Sequence, residues 1–292
     1  MELTCHSEYL PLHAVFIRPL KFAFQDAASV AAQWEELNYL SQPDYQKALR
    51  EYDAFESLIR AAASEVLPMA GGTDLSLDSL YCRDASIATD YGMILCNMGK
   101  ESRRGEPGYH QAVYEGLGIP ILGKIEPPGT LEGGDLAWLD TRTLAVGNTY
   151  RSNPEGIEQL KSLLAPKGIQ VIVVDLPHFR GPSDVFHLMS ILSPVDKDLA
   201  VVYSPLMPIS FRRELLDRNF QLIEVPETEF DSLGSNVLAV APRNCIMTKG
   251  NPGTESALRD AGCRVAAYQG TEMSIKGGGG PTCLTRPYLR RK

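Results

Sequence analysis

No apolar run in this sequence approaches the roughly 18 residues that a membrane-crossing helix needs, and no tract is compositionally biased. Cations are in the minority: 28 Lys and Arg stand against 36 Asp and Glu, a formal net charge of -8. Nucleic-acid partners demand clustered basic residues, so this balance argues against them. An acidic surface suits a cationic small molecule, although most acidic proteins are simply soluble. No two of the six cysteines (Cys5, Cys82, Cys96, Cys245, Cys263 and Cys283) form a CxxC pair, which argues against a zinc ribbon or a dithiol redox site. Scattered free thiols fit a reducing cytoplasm. The first twelve residues carry Glu2, His6 and Glu8 and lack the basic start and apolar middle of a secretory signal. These absences predict a cytoplasmic protein with neither a membrane nor a nucleic acid as partner.

What is present is a recurring pattern: two short apolar strands joined by a polar turn, then a helix and another strand. In one unit, strands at Ser79–Ala88 and Met93–Asn97 flank Asp90-Tyr91-Gly92, followed by a helix near Pro107–Glu115 and a strand at Ile119–Leu122. The next has Asp135–Leu139 and Thr143–Gly147 as a hairpin, Pro154–Leu164 as a helix with Pro at its start, and Val171–Val174 as the closing strand. A third reads Val185–Leu192, Leu199–Tyr203, Ser210–Arg218, Gln221–Val225. A fourth reads Val237–Ala241, Cys245–Thr248, Thr254–Ala261, Arg264–Ala267. Asp84, Asp135, His187, Asn236 and Cys283 take similar places in successive units, and their numbers differ by 51, 52, 49 and 47. Such spacing predicts stacked copies of one supersecondary unit, with a strand at His13–Arg18 and a long helix at Pro43–Ala63 closing a ring. An ordinary α+β domain with coincidental spacing is the competing reading. No linker divides the chain, so residues 1–292 are read as a single catalytic domain.

Four motifs stand out. Lys276-Gly277-Gly278-Gly279-Gly280-Pro281-Thr282-Cys283 is not a phosphate loop, because no Gly-Lys-Ser/Thr and no helix follow it. The glycines let backbone approach a ligand closely beside a thiol, or they form a flexible loop next to a buried structural cysteine. Thr130-Leu131-Glu132-Gly133-Gly134-Asp135 places two carboxylates around a glycine pair, able to orient a base, or to sit in a solvated hairpin turn. His187 lies in an apolar stretch read as strand, where a lone histidine is commonly a core residue with its hydrogen bonds satisfied. Asp78 and Asp84 are six apart, so on a continuous strand both would face one side.

In this order, the motifs resemble the pentein, or guanidino-modifying, superfamily of dimethylarginine dimethylaminohydrolases (dimethylargininases), arginine deiminases and amidinotransferases. The resemblance covers nearly the whole chain beyond about residue 75. It implies a five-bladed, pseudo-symmetric α/β propeller of ββαβ units. It further implies a hydrolase acting on the guanidinium carbon of arginine or an Nω-substituted arginine through a covalent cysteine intermediate, giving citrulline and an amine. By resemblance, Cys283 is the nucleophile, His187 the general acid and base, and Glu132 the carboxylate that holds the imidazole. Asp84 anchors the guanidinium, Asp78 receives the α-amino group, and Arg103 and Arg151 clamp the α-carboxylate. Arginine deiminases usually have His-x-Asp; here that second position is Met189, as in the dimethylargininase pattern His-Leu-x-Ser. A buried acid facing a methylated nitrogen would lack its donors, whereas Met tolerates alkyl groups. No metal or other cofactor is called for. The expected partner is a small guanidino substrate, and a homo-oligomer is compatible with the sequence. Arginine deimination and amidino transfer to an amine are the alternative activities. A ribosome-binding factor of the same fold lacks the catalytic set.

Overall fold

The computed structural model describes residues 5–291. Strand β1 (Leu12–Ile17) leads through the short helices α1 (Leu20–Ala23) and α2 (Ala27–Gln33) to the long α3 (Tyr45–Ala62) and then β2 (Glu65–Pro68). Four units follow. The first comprises β3 (Ser86–Thr89), β4 (Gly92–Leu95), α4 (Glu106–Gly116) and β5 (Ile121–Lys124). The second comprises β6 (Leu136–Asp140), β7 (Thr143–Asn148), α5 (Pro154–Leu164) and β8 (Gln170–Asp175). The third comprises β9 (Leu192–Asp196), β10 (Leu199–Val202), α6 (Ile209–Asp217) and β11 (Gln221–Glu224). The fourth comprises β12 (Leu238–Ala241), β13 (Asn244–Thr248), α7 (Pro252–Asp260) and β14 (Arg264–Tyr268). Strand β15 (Thr285–Arg290) ends the series.

Each unit is its own three-stranded sheet, with its first two strands antiparallel and its last two parallel. The fifth sheet is assembled from both ends of the chain: β15 runs antiparallel to β1, and β1 runs parallel to β2. The expected five-bladed α/β propeller is therefore the observed fold, as five separate sheets rather than one closed barrel. First strands of neighbouring blades meet each other, β15 against β3, β6 against β9 and β9 against β12. Burial follows this placement. Strands β3, β4 and β10 are buried throughout, whereas the third strands β2, β5, β8 and β11 are mostly half-buried or exposed. Two buried arginines stitch β15 to its neighbours: an Arg286 η-nitrogen donates to the Ser86 carbonyl (2.9 Å) and one of Arg290 to the Ala239 carbonyl (2.8 Å).

Local chemistry explains where helices begin. Asn153 caps α5 by accepting from Gly156 N, and Pro154 occupies the first turn, where its missing N–H costs nothing. Asp44 caps α3 through Lys47 N, and Ala48, Tyr52, Phe55 and Ile59 bury one face. Two expectations need correction. Residues 79–85 are not strand: Leu77–Leu80 is a turn of 3-10 helix, in which Ser79 Oγ donates to the Ser76 carbonyl (2.7 Å) and Tyr81 N to the Asp78 carbonyl (2.9 Å). Asp78 and Asp84 thus come together through a turn, not through strand alternation. Nor does His187 lie within a strand. It precedes a 3-10 turn at Leu188–Ser190, its N–H bonded to Ser190 Oγ (3.0 Å), and strand begins only at Leu192. In both segments, serine hydroxyls bonded to nearby backbone compete with ladder pairing.

Candidate active site

Asp84, Asp135, His187, Asn236 and Cys283 each lie just ahead of the first strand of a blade, and Asp84, His187, Asn236 and Cys283 line two adjoining cavities. One small compartment of about 20 Å³ is lined by all seven residues singled out from the sequence: Asp78, Asp84, Arg103, Glu132, Arg151, His187 and Cys283. Tyr81, Lys100, Val185 and Gly277–Gly279 complete it. His187 and Cys283 also line a larger adjoining cleft of about 340 Å³, which contains Met189 and Asn236. The thiol and the imidazole therefore stand in the wall between a charged inner compartment and a roomier outer one.

The glycine run shapes this wall. Gly278 has φ +77°, a conformation side-chain-bearing residues rarely adopt. Gly279 lies so close to the Tyr81 ring that a Cβ would collide with it. Upstream, Glu51 on α3 accepts N–H bonds from Thr271, Glu272 and Met273, and Tyr81 Oη donates to the Met273 carbonyl (2.9 Å). Asn236 holds the cysteine end: its Oδ1 accepts from Thr282 N (3.1 Å) and Thr282 Oγ1 (2.9 Å), and its Nδ2 donates to Cys283 Sγ (3.4 Å).

On the opposite side, Glu132 is completely buried and its Oε2 lies 2.9 Å from His187 Nε2. Glu132 Oε1 accepts from Lys100 N (3.0 Å), with an Arg151 η-nitrogen 3.6 Å away. Gly134 permits the approach of histidine to this group, since a Cβ there would strike His187 Nδ1 and stand 2.8 Å from Asp84 Oδ1. Asp135 fastens the surrounding segments. It accepts from Leu188 N (3.0 Å), Thr149 Oγ1 (2.7 Å) and Ser152 Oγ (2.7 Å), joining the histidine turn to the loop that carries Arg151.

Asp84 gives one oxygen to Arg103 (2.6 Å), while its Oδ1 is buried without a hydrogen-bond partner. A buried carboxylate oxygen left unbonded is costly unless a ligand completes it. Arg103 is heavily committed: Glu106 takes two of its N–H groups (2.8 Å each) and the Tyr81 carbonyl another (2.9 Å). Arg151 keeps a buried Nε without a hydrogen-bond partner. Asp78 is paired with Lys100 Nζ at 2.6 Å. Residues 101–107 form a 3-10 turn running into α4, with Arg103 and Glu106 buried.

The electrostatics suit a proton donor beside a nucleophile. Burial opposes the His187 charge, but Asp135, the Glu132 hydrogen bond and Asp84 outweigh it and lift the imidazole to about 9. Burial likewise opposes the Glu132 charge, yet His187 and then Arg151 hold it at about 2. Burial, helped by Asp84, pushes the Cys283 thiol up, against hydrogen bonds from Thr282 and Asn236. Donor atoms of Asp84, Glu132 and His187 also lie within 4.8 Å of one another, close enough for a metal. Arg103 and Arg151 already crowd these carboxylates with positive charge.

Sequence reasoning did not assign roles to Asn236, Tyr81 or Lys100. Asn236 was visible only as a place in the repeat; nothing near Lys100 marked it. Among the described residues no helix is long and apolar enough to cross a membrane.

Comparison with known proteins finds relatives of this chain. A dimethylarginine dimethylaminohydrolase from Pseudomonas aeruginosa is 27% identical over 248 residues, covering 85% of this chain and 91% of that protein. An arginine deiminase from Listeria welshimeri is 27% identical over 257 residues, covering 73% of this chain and 62% of that protein. The solved P. aeruginosa enzyme, a cysteine-to-serine variant complexed with citrulline, superposes with a TM-score of 0.77 at 23% identity, over 95% of this chain and 100% of that one. The family described as N,N dimethylarginine dimethylhydrolase, eukaryotic, matches residues 18–290, and the chain belongs to that family of C–N hydrolases within the pentein superfamily.

Proposed function

We propose that this chain, acting over residues 1–292 as one catalytic unit, hydrolyses the guanidinium carbon of an Nω-substituted arginine to citrulline and an amine. The observation that carries the reading is the convergence of a thiol, an imidazole and three carboxylates on one compartment. In this reading the planar cation lies between Asp84, whose free oxygen awaits donors, and Glu132. Its charge offsets the burial and the Asp84 anion that keep Cys283 protonated, so the thiol releases its proton to solvent and the thiolate forms as substrate binds. The thiolate sulfur bonds to the guanidinium carbon. His187, protonated at neutral pH, gives its proton to the departing nitrogen as the C–N bond breaks. The resulting S-linked amidinium is attacked by a water that neutral His187 deprotonates, and expulsion of the thiolate leaves the ureido product.

Arg151, with its unbonded Nε, is the free receptor for the substrate carboxylate. Arg103 lines the same space but chiefly orients Asp84. Asp78 faces the substrate's far end. The outer cleft, with Met189 in its wall, receives the alkylated nitrogen and releases the amine. This apolar contact favours Nω-alkylated arginine over free arginine. A panel of arginine, mono- and dimethylarginine and agmatine, scored for ureido product and released amine, tests the assignment. Ornithine formed only when an acceptor amine is added would identify an amidinotransferase instead.

A further inference from the structure

A carboxylate and a backbone carbonyl converging on one point form a receptor for an alkylammonium. Asp78 Oδ2, on the inner compartment, and the carbonyl of Leu37, a residue of the outer cleft, make such a receptor, and it is already filled. Lys100 Nζ stands 2.6 Å from the first and 2.8 Å from the second. The lysine is tethered at both ends, because its backbone N–H donates to Glu132 Oε1 (3.0 Å). Its side chain is only 12% exposed, so it has little room to retreat into water.

We propose that Lys100 sets specificity at the substrate's α position by supplying, from the protein, the ammonium an α-amino acid would bring, so that linear ω-guanidino carboxylic acids without an α-amino group are accepted as substrates. The proposal rests on the hydrolase reading above. With Asp78 neutralised by Lys100, an incoming ammonium must either displace the lysine from both partners or settle beside a like charge. Either course cancels the gain of a charge-assisted bond. A substrate with hydrogen at the α carbon leaves the Lys100–Asp78 pair undisturbed and keeps its guanidinium for Asp84 and Glu132 and its carboxylate for Arg151.

The test compares kcat/KM for arginine, Nω-methylarginine and 5-guanidinopentanoate, which is arginine with hydrogen in place of the ammonium, in the native enzyme and in Lys100→Ala and Lys100→Met. The native enzyme is expected to use 5-guanidinopentanoate within about threefold of arginine, the α-amino compound with the same unalkylated guanidinium, and both variants to shift that ratio toward arginine by at least about tenfold, mainly through KM. Native discrimination against 5-guanidinopentanoate relative to arginine above about tenfold, or a ratio unmoved in soluble, folded variants, overturns the proposal. The native comparison stands even if a variant fails to fold. Absence of ureido product from every compound would instead overturn the hydrolase reading itself, and this one with it.

Discussion

At the scale of single residues, the site depends on a buried ion pair and a buried thiol. Cys283→Ser is expected to cut turnover by at least about a thousandfold with an unchanged far-ultraviolet spectrum. A variant with near-native turnover would remove the sulfur from the mechanism. His187 is lifted from 6.5 to about 9, so its charge stabilises the fold fully below about 6.5 and ceases to as pH rises through 9. Glu132 is lowered from 4.5 to about 2, so the same pair contributes above 4.5 and is lost on acidification through 2. The contribution is counted once, and is complete between about pH 5 and 6. Glu132→Gln should bring the His187 titration down toward its ordinary value, visible by NMR of the imidazole, and draw the alkaline limb of the rate profile down with it. A titration that stays near 9 would show that Asp135 and Asp84 suffice. The family resemblance of residue types and order picked out this set, which the ring gathers into one compartment; the partners of Arg103 were not legible, because Glu106 meets it only after the 101–107 segment has folded into a helix start.

At the scale of elements, the glycines mark where backbone must lie flat against something. Gly134→Ala puts a methyl group into the space between His187 Nδ1 and Asp84 Oδ1. It should lower kcat/KM on the order of a hundredfold, through displaced catalytic groups, while moving the thermal midpoint far less. A variant of native activity would show that the two side chains need not approach each other. The helix Pro154–Leu164 was readable to the residue, since its cap, its proline and its apolar spacing all agree. The stretches around residues 79–85 and 185–191 were not, because apolar residues there fill turns that face a core, and a short apolar run does not distinguish a strand from a buried turn. Lys100 was invisible for a related reason: its partners, Asp78 and the Leu37 carbonyl, belong to segments whose meeting depends on the whole ring.

At the scale of the molecule, the ring closes through β15 on β1, and Cys283 sits immediately before that strand. Deleting residues 285–292 should therefore abolish the cooperative transition or lower its midpoint by more than about 10 °C, as followed by circular dichroism. A truncated chain that melts like the parent would show that four blades hold without the fifth. The repeat itself was legible from near-constant spacing; the closing sheet was legible only in part, because its strands come from opposite ends of the sequence and their pairing leaves no local trace. The five blades present equivalent addresses at the axis, occupied by an aspartate, a second aspartate, a histidine, an asparagine and a cysteine. None of these side chains belongs to the ladder of the strand that follows it, so an occupant can be exchanged without rebuilding the sheet that presents it. Such a frame lets chemistry be revised one address at a time, and it makes the reactive set a property of the circle that no isolated arc possesses.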